Sequence, residues 1–443
     1  MTGADHDRVV ICHGCNLLKS AYLVISSAKS TRGVHPKLTI ANRRMPIGTA
    51  FHSRTAPLCV SQNWRTWSGY FVASSYDVVH DYEYHAIRNS AALIDVSPLY
   101  KYDVRGKDAL RLVNRLMTRD AVKCSIGQAL YGCLCQDDGA VIQDGTVFRL
   151  AEDQFRFHLA EPSLRWLRLN ATGMKLVIEE VSEQIAALAL QGPNALRILE
   201  GLVDVDLHAL KFFRLSPAKM DGLPVIVSRT GYTGDLGYEI WLDAAYAGAV
   251  WDALIQKGKY FGIKAAGMLA LDVARLEAGF ILLDVDYISA EKAMIPSQRY
   301  SPFEIGLGWT VDLSKSDFVG CRALREETDP ALSRQIVGVE ISLSDYEYLF
   351  QQARLPPQFP LAAWRGGVPV YKDDRQIGHA TTGAWSPILK KYIALATVNK
   401  PCAAPGTVLE IEVTVEHRRK TASATVVKTP FYDPPRKRGL APA

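Results

Sequence analysis

The chain has 443 residues, of which 48% are hydrophobic and 22% charged. At about 150 residues per domain, this length predicts two or three domains, each with a core of its own. No apolar run approaches the roughly 18 residues that a membrane-spanning helix needs, so a membrane partner is not predicted. The five excess positive charges lie within residues 1–44, and the rest balances at 44 basic and 44 acidic side chains, which argues against a nucleic-acid partner.

Residues 1–44 differ from the rest of the chain, because they are basic and show no sustained period of 2 or 3.6. Three interpretations remain open: an upstream extension of the gene model with natural translation from Met45, a disordered or targeting tail, and a metal-binding tail built on Cys12 and Cys15. We favour the first, since a single Cys-x-x-Cys is a weak metal signal. The eight cysteines come without a secretory signal, which indicates reduced thiols and a cytoplasmic protein.

From residue 45 onward, helical and strand patterns alternate, which predicts a mixed α+β body at residues 45–328. The spacing of apolar residues predicts, in chain order, a helix at 82–92, a helix at 107–117, a hairpin at 147–159, a helix at 193–202, a strand–loop–strand unit at 223–242 and a helix at 264–278 that Gly279 ends. After a break at residues 328–330 the strands become short and numerous. Residues 329–443 are therefore predicted to form a small β-rich domain.

Short motifs of several large enzyme classes do not occur in the chain. There is no Walker loop, no dinucleotide-binding Gly-x-Gly-x-x-Gly, no His-Glu-x-x-His and no Gly-x-Ser-x-Gly element, and the ten histidines are dispersed. These absences disfavour nucleotide kinases, Rossmann dehydrogenases, zinc proteases and ordinary serine hydrolases. No metal site is predicted.

The most informative stretch is residues 229–240, RTGYTGDLGYEI, between two apolar strands. Its three glycines allow the backbone to approach a flat ligand closely. Tyr232 offers a ring face, and Glu239 begins a strand whose neighbours are core-like. A glycine-rich hairpin with a surface glutamate would use the same residues, so the segment alone leaves both interpretations open.

This segment is similar to the RTGYTGEDGFEI-type signature of the glycine-cleavage T-protein (aminomethyltransferase) family. Five further blocks follow the family's order: IDVS at 94–97, LQGP at 190–193, RLEAG at 275–279, GLGWTV at 306–311 and WSPILKK at 385–391. Each block is weak by itself, but their common order makes the resemblance specific. It implies a three-lobed, tetrahydrofolate-binding body with a small C-terminal β-barrel domain.

The resemblance also assigns the residues that would bind the folate. A pterin edge offers two parallel N–H donors, for which a carboxylate is the natural acceptor, and Glu239 matches the family position with that role. Tyr232 and Trp309 match aromatic positions near the ligand. Arg229 or Lys390 could meet the carboxylates of the folate tail.

Asp144 is the predicted catalytic residue. Residues 139–147, GAVIQDGTV, resemble the family's GGILDDLIV, in which the second Asp stabilises positive charge near N5 and N10 and orients the acceptor nitrogen. The alternative is that Asp144 and Gly145 form an ordinary Asp-Gly turn without chemistry. Tyr238 and His158 are candidates for a general acid.

Three departures from the family pattern bear on the substrate. Gln143 replaces the first Asp of the Asp-Asp pair, Leu271 replaces an arginine, and Ala160 replaces an asparagine. Loss of the arginine removes a fixed cation that an anionic substrate group would need. Residues 139–167 also resemble the matching part of dimethylsulfoniopropionate demethylase, a relative that demethylates a small sulfonium.

The sequence therefore predicts an enzyme that moves a methyl group from a small O-, N- or S-methylated substrate to N5 of tetrahydrofolate. Two alternatives remain. One is an aminomethyltransferase of the glycine cleavage system, which would need a carrier protein as partner. The other is a non-catalytic folate-binding regulatory protein. The sequence makes no prediction of the oligomeric state.

Overall fold

The computed structural model describes residues 45–327 and 333–439. In these ranges the chain forms β-sheets with associated helices, followed by a closed β-barrel. Cys12 and Cys15 lie outside the described residues, and the interpretations of residues 1–44 stay predictions. Among the described helices, none is both long and apolar enough to cross a lipid bilayer.

The strands before residue 327 form three sheets. In chain order these strands are β1 (Ile47–Gly48), β2 (Asn63–Trp67), β3 (Tyr70–Ser75), β4 (Ala91–Asp95), β5 (Tyr100–Arg105), β6 (Gln128–Cys135), β7 (Val141–Ala151), β8 (Gln154–Leu159), β9 (Val177–Glu180), β10 (Ile185–Gln191), β11 (Leu215–Met220), β12 (Leu223–Ser228), β13 (Gly237–Asp243) and β14 (Ile263–Ala265). The orders are β11-β12-β13-β10-β4-β14, β6-β7-β8-β5-β9 and β1-β3-β2. Strands β7 and β8 form the predicted hairpin, and β12 and β13 form the predicted strand–loop–strand unit.

The six-stranded and five-stranded sheets share an apolar layer between them. Phe148 of β7 and Trp241 of β13 meet in this layer, with ring centroids 5.5 Å apart. Because successive side chains of a strand point to opposite faces, residues two or four positions away face the same layer. Asp144 on β7 and Glu239 on β13 belong to that set. The topology therefore turns both carboxylates toward the space between the sheets.

Helices pack on the outer faces of the sheets, in the layer between them and against the barrel. In chain order they are α1 (His52–Thr55), α2 (Asp81–Asn89), α3 (Ala109–Leu116), α4 (Leu164–Asn170), α5 (Ala195–Leu199), α6 (Ala247–Gly258), α7 (Met268–Glu277), α8 (Cys321–Glu326) and α9 (Leu343–Gln352). Helices α5 and α6 pack on the outer face of the six-stranded sheet, and α3 and α4 pack on that of the five-stranded sheet. The body is thus layered, with the two sheets inside.

The helix stop predicted at Gly279 agrees with the structure, whereas several other predicted helix ends do not. The helix predicted from residue 264 begins at Met268, because Ile263–Ala265 form β14, and the helix predicted at 193–202 covers Ala195–Leu199. Gly279 has φ +66°, a conformation that favours glycine, and its N–H donates to Leu276 O just after α7. This confirms the predicted helix stop. The helix predicted to reach residue 92 ends at Asn89, because residues 91–95 are a fully buried strand in the six-stranded sheet.

The C-terminal region forms the expected barrel. Its strands are β15 (Arg334–Ile341), β16 (Trp364–Lys372), β17 (Arg375–Ser386), β18 (Lys391–Asn399), β19 (Val408–Val415) and β20 (Arg418–Val427), closed in the order β15-β18-β17-β16-β19-β20. Strand β19 shows why these strands close into a barrel. Every second residue of the strand is buried and fills the barrel interior, while the residues between them are more exposed: the buried ones are Leu409, Ile411, Val413 and Val415. The predicted C-terminal β-barrel is confirmed.

Helix α7 carries buried polar contacts that join the barrel to the body. Glu277 accepts a hydrogen bond from Ser386 Oγ of β17 at 2.6 Å and pairs with Arg88 of α2 at 2.6 Å. Two residues earlier, Arg275 donates to Thr382 Oγ1 of β17 at 3.0 Å. A buried charge is tolerated only with such partners, since its desolvation is costly.

We expect Ser386→Ala to lower the free energy of unfolding by about 1.5–3 kcal/mol, because it removes a hydrogen bond to a buried carboxylate. The urea midpoint of the purified protein measures this change. Ser125→Ala, at an exposed position on the body, is the matched control. Equal midpoints for the two variants would contradict a stabilising role for this contact.

Candidate active site

Asp144 is held by two tyrosine hydroxyls on the inner face of the five-stranded sheet. Tyr131 of β6 donates to Oδ2 at 2.8 Å, and Tyr287 donates to Oδ1 at 2.5 Å. The backbone N–H of Asp144 in turn donates to the Tyr287 hydroxyl at 3.0 Å. Both carboxylate oxygens therefore have fixed directions.

The pKa of Asp144 is set by burial and by neutral hydrogen-bond donors, and no cationic side chain of the described ranges contributes to it. Burial raises the pKa of Asp144, and the hydrogen bonds from Tyr287 and Tyr131 oppose that rise. Burial and the charge of Asp144 raise the pKa of both tyrosines well above the usual range, so they stay neutral donors. In the part of the chain that the structure describes, Asp144 forms no ion pair.

The Asp-Gly pair at 144–145 does not form a turn. Both residues lie inside β7, where Gly145 is opposite Leu159 of β8. A Cβ at Gly145 would lie 2.4 Å from Leu159 Cδ2 and 2.9 Å from His158 O. The glycine thus allows close strand packing beside Asp144, and the turn interpretation is wrong.

Glu239 faces the same layer from the opposite sheet. Its Oε2 accepts a hydrogen bond from Thr230 Oγ1 at 2.6 Å, and Thr230 is itself bonded to Ser228 Oγ at 2.7 Å. Burial raises the pKa of Glu239, while the two hydroxyls lower it. Like Asp144, Glu239 forms no ion pair with any residue that the structure describes. It is half-buried rather than on the surface, unlike the glutamate of a plain exposed hairpin.

The glycines of the 229–240 loop leave room for other side chains of the protein to pack against the loop backbone. A Cβ on Gly231 or Gly237 would lie 2.1–2.2 Å from the amide of Gln191, which is fully buried between them. That amide accepts a hydrogen bond from Thr233 at 2.7 Å. A Cβ on Gly234, which has φ +72°, would lie 2.4 Å from Ala278 Cβ. The expectation that these glycines admit a flat ligand is therefore wrong.

Two aromatic side chains of the prediction lie around Asp144. Tyr232 stacks on Phe280 with centroids 5.4 Å apart, and its hydroxyl donates to Ile281 O. Trp309 is 64% exposed, with its ring 6.2 Å from that of Tyr131. Burial raises the pKa of Tyr232, and the charge of Asp144 adds to that rise. Trp309 borders the Asp144–tyrosine cluster through Tyr131, and Tyr232 packs against the same apolar cluster as Tyr131.

Arg229 does not join this group. Its guanidinium is buried and donates to Leu210 O at 3.2 Å, Arg438 O at 3.3 Å and Gly439 O at 3.0 Å. These carbonyls bind both terminal nitrogens internally, and Nε is buried without a partner among the described residues, which contradicts the expectation that Arg229 meets the folate tail. Lys390 is exposed, in an αL conformation with φ +56°.

Neither predicted general acid can deliver a proton to the site. The ring of His158 lies 4.3 Å from Phe148 and 4.0 Å from Trp241, and neither ring nitrogen has a partner among the described residues. Burial lowers the pKa of His158 well below its usual range, so the imidazole stays neutral. Tyr238 points to the opposite face of β13 and packs beneath α5 and α6. Both expectations are wrong for the same reason: the side chains are enclosed by apolar groups.

Comparisons with known proteins agree with this architecture. The GCVT N-terminal domain family matches residues 51–315, and the glycine cleavage T-protein C-terminal barrel domain matches residues 355–433. The chain belongs to the glycine cleavage T-protein family. This family is enzymatic, and its aminomethyltransferases use tetrahydrofolate. The family predicted from six sequence blocks is confirmed.

Individual relatives of this T-protein family member carry two different names. An aminomethyltransferase of Halothermothrix orenii is 35% identical over 79% of this chain and 90% of its own length. A trimethylamine-oxide aldolase of Ruegeria pomeroyi is 34% identical over 90% of this chain, which spans only 48% of that relative. The solved aminomethyltransferase T of Bartonella henselae is 23% identical, with a TM-score of 0.73 over 87% of this chain and 98% of its own, and supports the fold.

The departures from the T-protein pattern have structural roles. Gln143 points away from Asp144 and is bonded to Ser163 Oγ at 2.5 Å and to the backbone of Glu161. Leu271 is buried in the layer between the sheets, with Ala160 packed against the same cluster. Position 271 therefore has no cationic side chain. Gln143 holds the loop after β8 in place through its hydrogen bonds to Ser163 and Glu161.

Tyr131 and Tyr287 are the site residues that the sequence did not reveal. Tyr131 lies on β6 two positions before Cys133, the residue opposite Asp144 on β7, so the alternation of that strand places Tyr131 on the Asp144 face. Tyr287 gives no such signal, because it lies in a loop 143 positions from Asp144.

Proposed function

We propose that this T-protein family member is a cytoplasmic, tetrahydrofolate-dependent transferase that moves a methyl group from a small O-, N- or S-methylated donor to N5 of tetrahydrofolate. One observation carries the proposal. Two carboxylates without basic partners, Asp144 and Glu239, face the same layer from two sheets. Half-buried carboxylates without cations are costly for a purely structural role, and such groups concentrate at functional sites.

The donor set fits a folate. The carboxylate of Glu239 has acceptor capacity for the paired N–H donors of an amino-pyrimidinone edge. Tyr232 and Phe280 supply an aromatic surface, and Trp309 presents an exposed ring nearby. When bound, tetrahydrofolate supplies the nucleophilic nitrogen that accepts the one-carbon unit.

The role of Asp144 in this proposal is electrostatic. Its negative charge would stabilise positive charge that develops on the acceptor nitrogen, because the surrounding site has a low dielectric constant. The hydroxyls of Tyr131 and Tyr287 fix the carboxylate before substrate arrives, so no reorganisation is needed during transfer. A donor whose leaving group is already neutral after transfer, such as a sulfonium, suits a site without a suitably placed histidine.

An aminomethyltransferase remains the second candidate, because the relative from Halothermothrix orenii has that name. Its activity would require an aminomethylated carrier protein. The apolar Leu271 at the position of the family arginine counts against it. Release of ammonia from an aminomethylated lipoyl carrier would identify this second activity.

The proposal is tested by incubating the full chain with tetrahydrofolate and a panel of methylated donors. The panel includes trimethylamine N-oxide, the compound in the name of the Ruegeria pomeroyi relative, and mass spectrometry detects methyl- and methylene-tetrahydrofolate. We expect methyl-tetrahydrofolate from at least one donor. Methylene-tetrahydrofolate as the only product would show that the transferred unit has the oxidation level of formaldehyde, and would contradict methyl transfer. Saturable folate binding without any product would support the regulatory alternative instead.

We expect Tyr287→Phe to move the acidic limb of the pH profile of kcat/KM upward by about one pH unit. The hydroxyl of Tyr287 stabilises the Asp144 carboxylate, and without it the proton is bound more tightly. A higher pH is then needed to reach the active carboxylate. Tyr260→Phe, at an exposed side chain, is the control, and an unshifted limb in Tyr287→Phe would argue against an ionised Asp144 as the active form.

A further inference from the structure

The enclosed guanidinium of Arg229 leaves the anionic end of a bound folate without its predicted partner. We propose that Arg65 and Arg365, an arginine pair on Asp272, form the binding site for the carboxylates of the folate glutamate tail. This inference rests on the proposed function.

The pair is assembled from distant parts of the chain. Arg365 of β16 places Nη2 at 2.5 and 2.7 Å from the two carboxylate oxygens of Asp272, and Arg65 of β2 places Nη1 at 3.5 Å. Ser74 Oγ accepts a hydrogen bond from Arg65 Nε at 3.1 Å. Among the described residues, Nη2 of Arg65 and the Nε and Nη1 groups of Arg365 have no acceptor. Both side chains are partly exposed, at 27% and 36%.

The charges around Asp272 sum to a positive site. Arg275 lies beneath the pair, with Nε 3.8 Å from Asp272 and Nη1 2.7 Å from Asp286. Three guanidinium groups thus face two carboxylates. Burial lowers the pKa of Arg65 and repulsion from Arg365 acts in the same direction, while Asp272 opposes both. An added carboxylate would relieve this repulsion.

The position of the pair agrees with a ligand that starts at Asp144. Burial is the main cause of the raised pKa of Tyr232, and the charges of Asp144 and Asp272 both raise it further. Trp67, two positions after Arg65 on β2, packs against the apolar cluster between the sheets, as do Tyr131 and Tyr232. Leu271, which replaces the family arginine, directly precedes Asp272. The arginine pair is thus bound to the residue that follows the position where the family arginine is missing.

Guanidinium groups match planar carboxylates through paired N–H donors, which makes arginine a better partner than lysine for this task. Tetrahydropteroic acid is the ligand for comparison, because it has the ring system of tetrahydrofolate and ends in a benzoate carboxylate, without the glutamate and its two carboxylates. Arg65 and Arg365 should therefore increase the affinity only of ligands that carry the glutamate tail. That requirement separates a binding role from a general effect on folding.

The experiment measures the affinities of tetrahydrofolate and tetrahydropteroic acid for the full chain by fluorescence or calorimetry. The test uses Arg65→Gln rather than a change at Arg365, because Arg365 also links barrel strand β16 to Asp272 of α7 and its loss could destabilise the protein. Arg65→Gln should weaken tetrahydrofolate binding about threefold to tenfold, as for a partly exposed charge pair, and leave tetrahydropteroic acid unchanged. Arg322→Gln, which makes the same change at a 92% exposed side chain of α8, should match the wild type for both ligands.

The outcomes separate the two proposals. If the wild type binds both ligands equally and Arg65→Gln changes neither, the tail site is overturned while the folate site stands. If Arg65→Gln weakens both ligands by the same factor, its effect is structural and the tail site is again overturned. If the wild type binds neither ligand, the proposed function fails, and the tail site fails with it. An unchanged urea midpoint in Arg65→Gln confirms that the variant is folded.

Discussion

Asp144→Asn is expected to reduce kcat about 100- to 1,000-fold while tetrahydrofolate affinity changes less than about threefold. Losses of this size are typical when one preorganised charge or donor is removed from a water-poor site. The amide is isosteric and keeps an oxygen for one tyrosine hydroxyl, but it has no negative charge with which to stabilise a developing cation. The variant should also lose the acidic limb of the pH profile, since no carboxylate remains to titrate.

Steady-state rates with the donor found in the panel, beside direct folate titrations, measure the two effects separately. Asp153→Asn makes the same chemical change at an exposed turn of the same β7–β8 hairpin and should behave as the wild type. Wild-type turnover in Asp144→Asn would remove Asp144 from the chemistry. A parallel loss of folate affinity would instead make Asp144 a binding residue.

Much of the fold was predictable because local patterns and tertiary packing agree. The apolar alternation of β19 and the stop at Gly279 both reflect positions where one physical requirement dominates, either burial on one face or a positive φ. Helix α2 is an instructive exception. Its pattern continues to residue 92, but burial of residues 91–95 between two strands outweighs helix propensity there.

The candidate site was predictable only where a motif contains its residues. Asp144 and Glu239 were located through ordered sequence blocks, and the structure turns both toward one layer. Arg229 was misassigned because a sequence does not reveal that three backbone carbonyls enclose its guanidinium. Tyr287 was missed because its contact with Asp144 spans 143 positions and follows no period.

The glycine-rich loop was misread for a related reason. The sequence predicts a ligand beside Gly231 and Gly237, but the group that approaches them is Gln191, which lies 40 and 46 positions earlier in the chain. A glycine signals that something comes close to the backbone without identifying it. Only the tertiary structure distinguishes a buried amide of the protein from a bound ring.

Glu239→Gln is expected to weaken tetrahydrofolate binding about 10- to 150-fold, which corresponds to about 1.5–3 kcal/mol for a hydrogen bond to a charged group. A carboxylate can accept two N–H donors from a pterin edge, whereas an amide offers one acceptor and opposes the second donor with its own N–H. Burial already raises the pKa of Glu239, so wild-type binding should also weaken as the pH falls and the carboxylate gains a proton. In Glu239→Gln this pH dependence should disappear.

Isothermal titration of tetrahydrofolate across a pH series measures both effects, and Glu152→Gln, at an exposed turn of the β7–β8 hairpin, is the control. The pterin site would be excluded at Glu239 if the variant bound as the wild type with the same pH dependence. A loss confined to kcat would show that Glu239 acts in the chemical step and not in folate binding. A loss of affinity with unchanged kcat at saturation would instead leave Asp144 as the residue that acts on the transferred group, since Thr230 would still hold the neutral side chain at position 239.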